Sequence, residues 1–168
     1  LDRTGKSIGV VSSIAGVSRL EIEIVGEANH AGSTAMSDRK DALVKAAALI
    51  AKIPEIVKKN GTEFTVATVG TIKVTPNSVN VIPGTCTFHL EIRDQDRNVM
   101  EAVEKDALAY LKALCEEDGL EFTFKKISDH APEPMADWVK DIIEDTESVI
   151  PDMNLQRQRI LEKAAKFC

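Results

Sequence analysis

Between Leu20 and Phe124 the spacing of apolar residues switches back and forth between a period of two and a period of about 3.6, and the order of the switches limits the fold more than any other feature. Leu20, Ile22 and Ile24 alternate with Glu21 and Glu23, the mark of a half-buried strand. Ala42, Leu43, Ala46, Leu49, Ile50, Ile53 and Val57 recur at helical spacing, with Lys58 and Lys59 in the last turn and Gly61 as the stop. Phe64, Val66, Thr68, Ile72 and Val74 return to alternation, and Phe88, Leu90 and Ile92 repeat it after the break at Pro83-Gly84. Val99, Val103, Ala107, Tyr110, Leu111 and Leu114 mark a second helix ended by Gly119, after which Leu120, Phe122 and Phe124 open a last strand. The order βαββαβ predicts an α+β, ferredoxin-like antiparallel sheet with two helices on one face. Thr87, His89, Glu91 and Arg93 then share the opposite face, open to solvent, a ligand or a second copy.

The chain of 168 residues suits one such domain with an appendage, here drawn as 8–134 and a helical C-terminal tail at 135–168. Ile8 to Ile14 is a candidate additional strand, Trp138, Ile142 and Val149 are spaced to line a helix, and Gln156 to Lys166 suits another after Pro151. A formal charge of -6 argues against nucleic acid, since phosphate binding needs a basic face. Cys86, Cys115 and Cys168 are odd in number and widely spaced, which suits a reducing, cytoplasmic compartment better than a disulfide framework. No apolar run approaches the length that spans a bilayer, so no membrane association is expected. Leu1 to Lys6 contains neither an initiator Met nor a leader, as expected of a chain that begins inside a longer product.

The residues that carry chemistry are sparse. A catalytic metal needs about three converging His, Cys or carboxylate ligands, usually signalled by a short motif. His30, His89 and His130 stand alone, and Glu116-Glu117, next to Asp118, reads as a solvated helix end, so no metal ligand is assigned. There is no GxSxG elbow, and Cys86 and Cys115 read as packed core thiols. Two loops are unusual. Gly26 to Thr34 sets His30 among small and polar residues, although a loop histidine is often merely exposed. Thr75 to Gly84 carries Asn77 and Asn80, which suit either a ligand or the turn backbone. Arg93 has a fork that matches a carboxylate, or it pairs with Asp94 or Asp96 at the surface.

Taken together, Gly26-Glu27-Ala28-Asn29-His30-Ala31-Gly32-Ser33-Thr34, then Met36, Arg39, Asp41 and Ala42, then Pro76-Asn77-Ser78-Val79-Asn80-Val81-Ile82-Pro83-Gly84 and Glu91-Ile92-Arg93 resemble the lid, or dimerisation, domain of M20-type amidohydrolases. The His-Ala-Gly run with Met-x-x-Arg-x-Asp-Ala is similar to the N-carbamoyl-L-amino-acid hydrolase and allantoate amidohydrolase branch, over roughly Ile8 to Met135. Ala35 departs from the proline common at that place, a change that loosens the loop without removing a functional group.

The resemblance implies a homodimer formed through the lid, and a separate catalytic domain in which two divalent metals, zinc or manganese, hold the attacking hydroxide. It implies that His30 polarises the scissile carbonyl, that Asn80 and Arg93 hold the substrate carboxylate, and that some lid groups reach the partner's cleft. On that reading the chain binds no metal and is inactive by itself. Two other readings stand beside it: a stand-alone ferredoxin-like ligand-binding or regulatory module, and the lid of an M20 dipeptidase or deacylase.

Overall fold

A computed structural model describes residues 9–149; Ile8, the candidate helix at 156–166 and Cys168 lie outside the described residues. The chain divides into two compact units, one being Ala15–Glu133 and the other, among the described residues, 9–14 and 134–149. In chain order the elements are β1 (Ser13–Ile14), β2 (Gly16–Val25), α1 (Ala42–Asn60), β3 (Val66–Thr75), β4 (Thr85–Asp94), α2 (Arg97–Asp118), β5 (Glu121–His130), β6 (Glu133–Pro134) and α3 (Asp137–Val149).

The main unit is the expected sheet of four antiparallel strands, in the order β3-β4-β2-β5. Parity explains its two faces. Leu20, Ile22, Ile24, Cys86, Phe88, Leu90 and Ile92 all point to one side and are at most 1% exposed. Ala46, Leu49 and Ile53 of α1 and Val103, Ala107 and Leu111 of α2 complete the same core, so both helices cover that side alone. The register places Leu20 opposite Leu90 and Ile22 opposite Phe88, so a slip of one residue would turn every core side chain to solvent.

Caps fix the helix ends. The Asp41 carboxylate accepts from the backbone N–H groups of Leu43 and Val44, and Asp96 accepts from that of Asn98. Gly119 ends α2 in the left-handed conformation (φ 66°), the usual reason for a glycine there. Gly61 ends α1 for another reason: its backbone is extended, but a Cβ would lie 2.6 Å from the Val57 carbonyl oxygen. Phe64, expected in the third strand, instead lies exposed in the turn before β3.

Carboxyl groups brace both ends of the sheet-and-helix unit. Asp94, 1% exposed, accepts from the hydroxyls of Thr62 (2.8 Å) and Thr65 and from the Asp96 N–H (2.8 Å), joining the α1–β3 turn to the start of α2. Burial alone would raise its pKa, but the bonds from Thr65, Asp96, Thr62 and Gln95 outweigh this and hold it below the ordinary value. At the other end, Asp118 and Glu117 pair with the Lys45 ammonium at 2.6 and 3.7 Å, giving that acidic helix end a structural role.

The smaller unit holds a Met135 N–H bond to the Ser12 carbonyl (3.0 Å) and α3, on which Trp138 and Ile142 are exposed. The expected helix through Trp138 is present, whereas the strand expected at 8–14 is reduced to Ser13–Ile14 among the described residues. Among the described residues, no helix is long and apolar enough to cross a membrane.

Candidate functional site

The two unusual loops lie together at one end of the sheet. The Ala31 N–H donates to the Asn80 carbonyl (2.9 Å), the Ile82 N–H donates to the Asn29 carbonyl (2.8 Å), and His30 and Val81 form an antiparallel bridge. Arg39 ties the first loop from behind, donating to the carbonyls of Ala31 (2.6 Å) and Thr34 (3.1 Å). His30 is exposed, and its Nδ1 accepts the Gly32 N–H at 3.1 Å. In the neutral ring the proton therefore sits on Nε2, which has no hydrogen-bond partner among the described residues and stands ready as a donor. Gly32 permits this approach, since a Cβ there would lie 3.0 Å from the imidazole Cε1.

The asparagines divide the two roles open to them. Asn77 is a turn residue with φ 58°, a conformation asparagine tolerates better than most side chains. Asn80 accepts the Ser78 hydroxyl at 2.9 Å, while its Nδ2 amide has no partner among the described residues. His30 and Asn80 thus present two donors at one sheet end.

Arg93 lies elsewhere. β4 runs from Thr85, next to the loops, to Asp94, which pairs with Gly16 at the far end. Arg93 is eight steps along the strand from Thr85, about 26 Å at roughly 3.3 Å per residue. Within one chain, then, His30 and Asn80 come together and Arg93 does not join them. Nor does Arg93 pair with Asp94 or Asp96: its Nε donates to Glu91 Oε1 at 2.7 Å, and Asp94 is turned into the core. Glu91 in turn accepts from Nε (2.9 Å) and the terminal nitrogen of Arg19 on β2. The hydrogen bonds from Arg93 and then Arg19 hold the Glu91 carboxyl below its ordinary pKa.

The remaining open-face groups form a second short network, in which His89 bonds Thr71 through Nδ1 and Glu21 through Nε2 (3.2 Å). A concavity of about 480 Å³ is lined by Arg19, Thr68, Gly70, Thr71, His89, Glu91 and Ile127. No three His, Cys, Asp or Glu side chains converge as metal ligands among the described residues. Cys86 and Cys115 are buried free thiols; burial, with a smaller contribution from Asp41, pushes Cys86 up to about 11, so neither suits a nucleophile.

The sequence offered a signal for Glu91 in its period-two spacing from Arg93, which puts both on one face. Arg19 acts through strand register, which leaves no such local mark, whereas Arg39 stood in the Met-x-x-Arg-x-Asp-Ala run with its loop-tying bonds unforeseen.

Comparison with known proteins agrees with this architecture. Residues 13–119 match the family model described as a peptidase dimerisation domain. The chain is 35% identical over 144 residues to an N-carbamoyl-L-amino acid amidohydrolase from Geobacillus stearothermophilus, covering 86% of this chain and 35% of the relative. It is 34% identical over 140 residues to an allantoate amidohydrolase from Bacillus subtilis, covering 83% of this chain and 34% of the relative. A solved amidase of the hydantoinase/carbamoylase family from Burkholderia multivorans superposes with a TM-score of 0.84 at 29% identity, over 90% of this chain and 36% of that one. The chain therefore spans about a third of the length of these relatives. On these matches the chain belongs to the M20 peptidase dimerisation domain family, on the branch whose relatives are N-carbamoyl-L-amino-acid and allantoate amidohydrolases.

Proposed function

We propose that this chain is the lid and dimerisation domain of a metal-dependent hydrolase that cleaves N-carbamoyl-L-amino acids, allantoate or a related ureido acid. The observation that carries the reading is the His30 imidazole, fixed through Nδ1 with Nε2–H free, beside the free amide of Asn80. A preset donor of this kind stabilises the oxyanion that develops when a ureido or carbamoyl carbonyl is attacked. Arg93, with its Nε on Glu91, keeps terminal N–H groups for a substrate carboxylate.

On this reading the two divalent ions implied by the resemblance belong to the relatives' remaining length, and no step here is routed through them. The fragment is then inactive alone. Because Arg93 lies at the opposite sheet end from His30 and Asn80, one small substrate meets all three only if they come from two copies, which gives dimerisation a catalytic purpose.

The test is kinetic, in the full-length enzyme on an N-carbamoyl amino acid. His30→Ala should lower kcat by about 10²–10³. Arg93→Ala should lower kcat/KM by roughly 10- to 100-fold, as expected for loss of a charge-assisted pair. Unchanged kinetics in both variants would remove the assignment, as would metal-dependent turnover by the isolated chain.

A further inference from the structure

We infer that Glu91 and Arg19 are positioning residues that aim the Arg93 guanidinium at the substrate carboxylate, an inference that rests on the proposed role of Arg93. Glu91 has its two oxygens divided between two arginines: Oε2 takes Nε (2.9 Å) and a terminal nitrogen of Arg19, and Oε1 takes Nε of Arg93 at 2.7 Å. Arg19 stands opposite Glu91 in the β2–β4 register, and Glu91 and Arg93 are two residues apart on one strand, so backbone pairing places all three on one face with Glu91 at the corner.

A guanidinium has five N–H donors in a plane. Holding the single Nε–H closes the side edge and leaves the four terminal N–H groups, so the edge between the two terminal nitrogens remains as a fork that can meet a carboxylate with two parallel bonds. Glu91 thus engages the one donor that this bidentate contact does not need. The three groups also carry one net positive charge, so an anion is favoured after the internal pairing is complete. Stability offers a weak alternative explanation, because the Arg19 and Arg93 side chains are 41% and 45% exposed and such surface pairs contribute little.

The experiment uses the full-length, metal-loaded enzyme, with an N-carbamoyl amino acid and its descarboxy analogue, the N-carbamoyl amine. Glu91→Ala should raise KM for the acid about tenfold with kcat nearly unchanged, Glu91→Gln should retain part of the loss because its amide oxygen still accepts from Arg93, and Arg19→Ala should fall between wild type and Glu91→Ala. None should change kcat/KM for the amine. In an Arg93→Ala background, Glu91→Ala should add nothing further. Equal losses on acid and amine, or losses that multiply in the double variant, would overturn the positioning role while leaving the Arg93 assignment intact. An Arg93→Ala enzyme with unchanged KM for the acid would overturn both.

Discussion

At His30 the backbone decides which nitrogen can do chemistry. The Gly32 N–H occupies Nδ1, and a methyl at position 32 would sit 3.0 Å from Cε1 and 3.3 Å from Nδ1, so Gly32→Ala must turn the ring or open the loop. The expected outcome in the full-length enzyme is a loss of kcat approaching that of His30→Ala, with an unchanged melting temperature because the site is exposed; kinetics and thermal unfolding check it together. Asp94 offers a prediction of a different kind. Its folded pKa is depressed, so its contribution to stability is complete above the unfolded value of about 3.9 and is lost as pH falls through the lower folded value. Asp94→Asn should therefore destabilise at neutral pH, by about 2–3 kcal/mol if the carboxylate's charge-assisted bonds are lost, and the difference from wild type should shrink at the acid end. Urea unfolding at several pH values measures both. Neither brace nor ring lock was legible beforehand. Asp94 read as a possible surface partner of Arg93, and only the turn at Thr62–Thr65 reveals why it is buried.

At the scale of elements, period was enough to place the four strands and two long helices of the main unit, but parity failed on β3, where a register shift between Val69 and Thr71 puts Val66 and Thr68 opposite Arg93 and Glu91 on the open face while Ala67, Val69 and Val74 pack on the core. What they left open was how far apart two positions on one strand finish. Asn80 and Arg93 read as a pair in sequence, yet β4 carries Arg93 to the far end of the sheet from the loop that holds Asn80. The sheet edges differ in a way that composition does show. Both edges leave apolar side chains half exposed, Val66 and Ile72 on β3 and Phe124 and Ile127 on β5, but β5 (EFTFKKISDH) intersperses them with Glu121, Lys125, Lys126 and Asp129, whereas β3 (VATVGTIKVT) carries only Lys73. Charged edges resist pairing and apolar ones invite it, so β3 is the edge expected to meet a second copy. Ile72→Lys should weaken self-association about tenfold or more, and Phe124→Lys on β5 should not. Sedimentation of the two variants compares them directly; dissociation by Phe124→Lys alone would assign the contact to the other edge.

For the whole molecule, membership of a dimerisation-domain family and the two-ended placement of polar groups support one account. If His30 and Asn80 of one copy serve the same substrate as Arg93 of the other, each site in a dimer draws on both lids. Two inactive enzymes should then repair one another. In a mixture of His30→Ala and Arg93→Ala subunits, a heterodimer contains one site with both defects and one with neither. Random exchange at equal concentrations makes half the dimers mixed, so activity should return to about a quarter of wild type from two nearly inactive parents. Were both residues to serve the cleft of their own chain, every site in the mixture would keep one defect and activity would stay at the parental level. A β3-edge variant that cannot pair should also fail to complement, which separates exchange of subunits from contamination by wild type. The link between sheet edge and catalysis follows from the length of β4, since a strand of ten residues is too long for one substrate to bridge and suited to a site shared by two copies.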